Sequence, residues 1–189
     1  MRYFPIFLEL QDRPCLVIGQ GRLAEEKAAQ LERAGGRVLR RPFFNPAEEL
    51  PVFLIFAVVE NLVEGKKIRD YAEKNRILVN VVDQTANCNF IAPALLERGD
   101  LSIAVSTSGR CPALASHIRR QLEKEYGAEY SGFLEFLAVR RESVREKLRS
   151  FEERREFYRR LFEKGLLDTW RTEGPQKASE LFSSALKQF

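Results

Sequence analysis

Three short stretches carry residues whose types and spacing suit chemistry. The first is Gly19-Gln-Gly21-Arg-Leu-Ala24, a Gly-x-Gly-x-x-Ala string directly after the apolar run Pro14–Ile18. Glycines after a strand let the backbone turn tightly and approach a pyrophosphate, and the following helix N-terminus offers unpaired N–H groups and partial positive charge. Alanine in the third slot still permits close helix–sheet packing. An ordinary strand-to-helix turn would use the same glycines. An acid that grips an adenosine ribose is expected about twenty positions on, where Arg40 and Arg41 stand instead. Those arginines fit a 2′-phosphate, a ribose held by backbone groups, or plain solvent exposure.

The second stretch is Asn80-Val-Val-Asp83. An acid at the carboxyl end of a parallel strand lies where open α/β sheets bind ligands, and can act as general base or metal ligand. It can equally cap a turn. The third is Ser106-Thr-Ser-Gly-Arg-Cys-Pro112, a hydroxyl-rich turn leading into a helix. It offers N–H donors and hydroxyls to an anion, though the same residues also serve as plain caps. Arg119 and Arg120 follow on that helix, with His117 nearby.

These residues need a scaffold, and the hydrophobic pattern supplies one. Pro14–Ile18, Arg37–Arg41, 52–59 and 77–82 read as strands, with helices over 23–34 and 64–75 between them. The run at 52–59 is continuously apolar, as in a parallel strand covered on both faces. Strand and helix alternating in this order predict a doubly wound parallel sheet. Leu101–Val105 reads as a further strand and 112–126 as a helix, with Pro112 in its first turn. Between 133 and 164 no strand signal remains, and apolar residues recur on one helical face. Helical character resumes after Gly174-Pro175.

Composition narrows the classes further. The chain has 189 residues, 44% hydrophobic and 31% charged, which supports a folded core and excludes wholesale disorder. No apolar stretch is long enough to span a bilayer. The opening MRYFPIFLELQDR does not read as a signal peptide. Cys15, Cys88 and Cys111 are odd in number and form no CxxC pair, so reduced thiols in a cytoplasmic setting are expected, with no zinc site. A single histidine argues against a His-based metal cage or triad. A net charge of +4 suits an anionic ligand. The basic residues of the helical half are interleaved with glutamates, which reads as a solvated face rather than a nucleic-acid surface.

Taken in order, the pieces resemble the precorrin-2 dehydrogenase / siroheme synthase N-terminal module. The matching stretches are Pro5-Ile-Phe-Leu, Gly19-x-Gly-x-x-Ala24-x-x-Lys27, Val79-Asn-Val-Val-Asp83, Cys88-x-Phe-Ile-x-Pro93-Ala and Leu101-Ser-Ile-Ala-Val-Ser-Thr-x-Gly109, followed by Cys-Pro112-Ala-Leu-Ala and Ile118-Arg119. The match covers roughly residues 3–122, and the helical remainder agrees in character only.

The resemblance implies a shortened Rossmann-like NAD-binding domain over 1–92, a dimerisation strand–helix segment over 93–122 and a helical C-terminal domain over 123–189. It implies NAD-dependent oxidation of precorrin-2 to sirohydrochlorin by a homodimer, with Fe²⁺ insertion to siroheme in some members. No membrane or nucleic-acid partner and no resident metal are implied. The family's key carboxylate falls on Asp83. Dinucleotide contacts fall on Gly19, Gly21, Arg22, Leu23, Phe43 and Phe44. Substrate contacts fall on Ser106, Thr107, Ser108, Gly109, Arg110, Arg119 and Arg120. The chain departs from the family between Arg41 and Val52, where a strand and its flanking turn are missing. It also has Ala57-Val-Val-Glu60 for Ala-Thr-Asp, Ser108 for a glycine, and Cys111 for a serine. A tetrapyrrole-binding or chelatase-only protein with a degenerate dinucleotide site is the alternative these departures leave open.

Overall fold

A computed structural model describes residues 3–48 and 51–189. The chain forms two compact units, one of residues 1–93 with Ser106–Pro112, the other of Ala94–Val105 with Ala113–Phe189.

The first unit is built on four parallel strands, β1 (Pro14–Ile18), β2 (Arg37–Arg41), β3 (Leu54–Ala57) and β4 (Leu78–Val81), in the order β2-β1-β3-β4. Helix α1 (Arg22–Arg33) joins β1 to β2, and α2 (Leu62–Lys74) joins β3 to β4. Because such crossovers are right-handed, reversing direction at β1/β3 puts the two helices on opposite faces. The strand side chains divide accordingly. Leu16, Ile18, Ile55 and Ala57 pack with Ile68 and Ala72 of α2, while Cys15, Val17, Leu54 and Phe56 pack with Ala24, Ala28 and Leu31 of α1. Both faces of β1 and β3 are covered, which explains their unbroken apolar runs.

The expected strand at 52–59 is shorter, Leu54–Ala57. Its flanks still make single ladder bonds, Phe53 N to Pro14 O at 2.7 Å and Val58 N to Ile18 O at 2.8 Å. In the doubly wound order the strand after β2 is outermost, so a chain lacking it keeps both neighbours of β1.

The exposed edge of β4 is closed by its own downstream loop. The Asn89 side chain accepts from Val79 N at 2.7 Å and donates to Ile77 O at 2.9 Å, as a neighbouring strand would. Asn89 N bonds Val79 O at 3.0 Å, and Cys88 Sγ lies 3.2 Å from both N and O of Val81. Asn80 is buried and donates to Phe90 O at 3.0 Å. Pairing the edge in this way satisfies groups that would otherwise recruit another strand.

The second unit opens on an antiparallel hairpin, β5 (Ala94–Arg98) with β6 (Leu101–Val105), followed by α3 (Pro112–Glu125). Strand β5 is an addition to the expected elements. The single helical face expected over 133–164 is two helices, α4 (Glu129–Lys147) and α5 (Phe151–Glu163), and α6 (Leu166–Thr172) and α7 (Pro175–Gln188) complete the unit. The break before α5 is set by a capping box. Ser150 Oγ accepts from Glu153 N at 3.0 Å and the Glu153 carboxylate accepts from Ser150 N at 3.0 Å. The core is aromatic: Phe133, Phe136, Phe157 and Phe182 are buried, with Trp170 against the first two. Arg140 lies 3.7 Å from the centre of the Phe136 ring and donates to Phe136 O and Ser179 Oγ, both at 2.9 Å.

Candidate functional site

The carboxyl ends of β1, β3 and β4 form a continuous row. Gly19 and Gly21 follow β1 with φ of 114° and 85°, conformations that L side chains rarely adopt. A side chain at Gly19 would put its Cβ 2.3 Å from Val58 O, so the glycine is what lets this turn pass the end of β3. At Gly21 a Cβ would meet nothing within 4 Å. That glycine faces open space, where the backbone can approach a ligand.

The neighbouring helix start lacks a side-chain cap. This leaves the first N–H groups of α1, after Gly21, for an external acceptor. Helix α2 differs, because Asn61 Oδ1 accepts from Val63 N at 2.8 Å and Glu64 N at 3.2 Å. Of the two sheet helices, α1 is therefore the one whose terminus keeps free N–H groups that a phosphate group could bond. Arg22 and Leu23 are exposed there, Arg22 pairing with Glu26 at 3.2 Å. Lys27, one turn further, lies 5.4 Å from the centre of the Phe56 ring, and burial holds its ammonium pKa below the usual range.

Phe43 and Phe44 separate. Phe43 is 73% exposed, whereas Phe44 packs into the α2-side core, edge-on to Tyr71 at 5.4 Å. Arg40 pairs with Glu32 at 2.8 Å and Glu25 at 3.5 Å, back along α1.

Asp83 follows β4 in the left-handed conformation, φ 60°, with its side chain exposed and unpaired among the described residues. Gln84 turns inward beside it. Its amide donates to Val59 O at 2.9 Å, and its Oε1 accepts from Asn87 Nδ2 at 2.8 Å. Gly65 makes room, since a Cβ there would lie 2.0 Å from Gln84 Oε1. Sequence pattern gives no hint of Gln84, which ties the Asp83 loop to the end of β3.

The turn Ser106–Pro112 belongs to the same unit as Asp83. Ser106 Oγ accepts from Ser108 N and Thr107 Oγ1 from Cys111 N, both at 3.1 Å. Ser108 and Gly109 adopt φ of 57° and 78°, and a Cβ on Gly109 would sit 3.5 Å from Thr85 Oγ1. The structure thus brings this turn against the loop after Asp83. Arg110 is exposed at its tip. Arg119 and Arg120 fall in the second unit, on α3, where Arg119 is paired with Glu123 and Arg120 is exposed. Burial raises the thiol pKa of Cys15 and of Cys88, as for inert core cysteines, while Cys111 is exposed.

Comparison with known proteins adds the family. A model described as sirohaem biosynthesis protein central matches residues 98–125, and sirohaem synthase dimerisation region matches 129–186. A putative NAD(P)-binding model matches in two pieces, 6–40 and 39–94, which meet at β2. Siroheme synthase of Methylobacillus flagellatus is 32% identical over 184 residues, covering 86% of this chain and 39% of the relative. Siroheme synthase 1 of Pectobacterium atrosepticum is 33% identical over 183 residues, covering 86% and 38%. The chain thus spans about two-fifths of the length of these curated relatives. With 184 aligned residues taking in only 86% of the 189-residue chain, about twenty aligned positions have no counterpart here. A solved structure titled SirC, precorrin-2 dehydrogenase, superposes with a TM-score of 0.68 at 22% identity, covering 99% of this chain and 100% of that one, and shows a common fold. No helix among the described residues is long and apolar enough to cross a membrane. With the sirohaem central and dimerisation models and the curated relatives in agreement, and a putative NAD(P)-binding model matching the sheet unit, the chain belongs to the siroheme synthase family.

Proposed function

We propose that this chain oxidises precorrin-2 to sirohydrochlorin with NAD, as a cytoplasmic homodimer. The observation that carries the reading is the row of strand ends. An uncapped helix start behind Gly21, the Gly19–Val58 crossing and the unpaired Asp83 carboxylate occupy successive positions along one edge of the sheet. Residues 93–122 are proposed as the dimerisation segment, with the dimerisation-region match at 129–186 following it. Three free cysteines fit a reducing compartment.

NAD⁺, when bound, supplies the hydride acceptor. The chain's own residues hold the reactants and take the proton. Gly19, Gly21, Arg22 and Leu23 present backbone and N–H groups to the pyrophosphate. Phe43 lies along the adenosine, and Phe44 anchors the loop that carries it. Asp83 accepts the proton that leaves the macrocycle as oxidation proceeds. In the Ser106–Arg110 turn the oxygens of Ser106 and Thr107 already accept backbone bonds, which leaves their O–H groups to donate to substrate carboxylates. Ser108 and Gly109 shape that turn, and Arg110, Arg119 and Arg120 add positive charge for an acidic tetrapyrrole. Where Fe²⁺ is inserted as a second substrate, Asp83 is the residue assigned to receive the pyrrole protons.

The test is an anaerobic assay of purified protein with precorrin-2, with and without NAD⁺, following sirohydrochlorin absorbance. NAD⁺-dependent product is expected. Tetrapyrrole binding without product would replace this reading with a carrier or a chelatase, and adding Fe²⁺ to sirohydrochlorin would separate those two.

A further inference from the structure

The chain departs from its relatives where β2 ends, and what stands there is an ion pair. Arg41 is the last residue of β2, and its carbonyl accepts from Gly19 N at 2.9 Å. It therefore abuts the glycine turn, at the position where a dinucleotide-binding sheet holds the adenosine ribose. A free arginine here would accommodate a 2′-phosphate. Arg41 is not free. Its Nη2 and Nε donate to the two carboxylate oxygens of Glu48 at 2.8 and 3.4 Å, a two-point grip.

The segment after β2 is folded so as to deliver that carboxylate. Asn45 Oδ1 accepts from Ala47 N at 3.1 Å and Asn45 O from Glu48 N at 3.2 Å, closing a turn that brings residue 48 back to residue 41. Tyr71 of α2 donates to Glu48 O at 3.3 Å, and Phe44 packs edge-on against the same tyrosine. The Arg40 side chain points to the other face, held by Glu32 and Glu25 of α1, while its carbonyl accepts from Arg41 Nη1 at 3.2 Å. The mutual hydrogen bonding pushes the Arg41 pKa up and holds the Glu48 carboxyl below its usual range, so both groups stay charged at neutral pH.

We propose that the Arg41–Glu48 pair selects the dinucleotide, admitting a ribose with a free 2′-hydroxyl and disfavouring a 2′-phosphate. Glu48 occupies the guanidinium that a phosphate would need and adds a repelling carboxylate beside it. The turn at 43–48 thus supplies the acidic group missing from the end of β2. This inference rests on the reading that the sheet unit binds a dinucleotide.

Calorimetric titration of NAD⁺ and NADP⁺ into the wild type, Glu48→Gln and the double variant R41Q/E48Q tests it. The wild type is expected to favour NAD⁺. In E48Q the freed arginine should shift the ratio of the two affinities toward NADP⁺ by about fivefold or more, and the double variant should lose that gain. An unchanged ratio in E48Q, with NAD⁺ still bound by the wild type, overturns the selection role alone. If the wild type binds neither nucleotide, the dinucleotide reading falls, and this inference with it.

Discussion

Gln84 donates a 2.9 Å hydrogen bond to the carbonyl of Val59 and so couples the loop bearing the candidate base to the strand beside the glycine turn. Asp83 is one residue away, exposed and left-handed, and depends on this buried neighbour for its placement. The bond joins the Asp83 loop to the segment after β3, which Val58 N in turn ties to the end of β1 through Ile18 O at 2.8 Å.

Gly65→Ala should therefore destabilise the chain, although alanine favours helices by about 1 kcal/mol over glycine. The added Cβ would lie 2.0 Å from Gln84 Oε1 and 3.1 Å from Asn87 Nδ2. Turning Gln84 away breaks bonds to Val59 and Asn87, each worth about 1 kcal/mol and more when a buried partner is left unpaired. The expected outcome is a net loss of about 1–2 kcal/mol in urea unfolding. A more stable variant would show that Gln84 does not lock the loop.

Gly21→Ala separates folding from binding. With φ 85° and ψ 179° the residue lies in a region reserved for glycine, so alanine costs about 1–3 kcal/mol. Its Cβ meets no protein atom within 4 Å and instead occupies the proposed pyrophosphate position. Calorimetry should show NAD⁺ binding weakened at least tenfold, on the order of a lost phosphate contact, at temperatures where the variant is fully folded. Unaltered NAD⁺ affinity would move the cofactor away from this turn.

The helical unit should respond to acid through Glu156. Hydrogen bonds from Arg159 and Arg160 hold its carboxyl down at about 2, from an ordinary 4.5. A depressed pKa stabilises the fold above the unfolded value, and that contribution is lost as pH falls through the folded one. The stability difference between wild type and Glu156→Gln should thus be present at pH 7 and shrink between pH 4.5 and 2. It should be small and salt-sensitive, because the group is exposed. Thermal melts across that range check the sign.

Much of the scaffold was legible because its signals are local. Strands β1, β2 and β6 fall on their apolar runs without adjustment, and both sheet helices follow their periodic patterns. Strand β5 was not: its burial alternates, with Leu96 buried between exposed Leu95 and Glu97, but the residue types Ala-Leu-Leu-Glu-Arg do not alternate between apolar and polar. The two-residue Gly99-Asp100 turn before β6, with Gly99 at φ 58°, was the available clue. Helices α4 and α5 read as one because their apolar residues stay in phase across Leu148–Ser150, and the Ser150/Glu153 capping box marks the break. In the site, glycines and Asp83 declare themselves by position. Gln84, Asn89 and Glu48 do not, because each acts through a chain reversal that brings it onto a residue with no periodic relation to it.

Asp83 is proposed to take the proton in an NAD-dependent oxidation. Asp83→Asn isolates this role, because asparagine tolerates the left-handed backbone that alanine would strain by about 1 kcal/mol. In the anaerobic precorrin-2 assay with NAD⁺, the variant should melt like the wild type, bind NAD⁺ equally, and turn over about a hundredfold or more slowly. Wild-type rates of sirohydrochlorin formation by a folded Asp83→Asn protein would show that Asp83 does not take the proton.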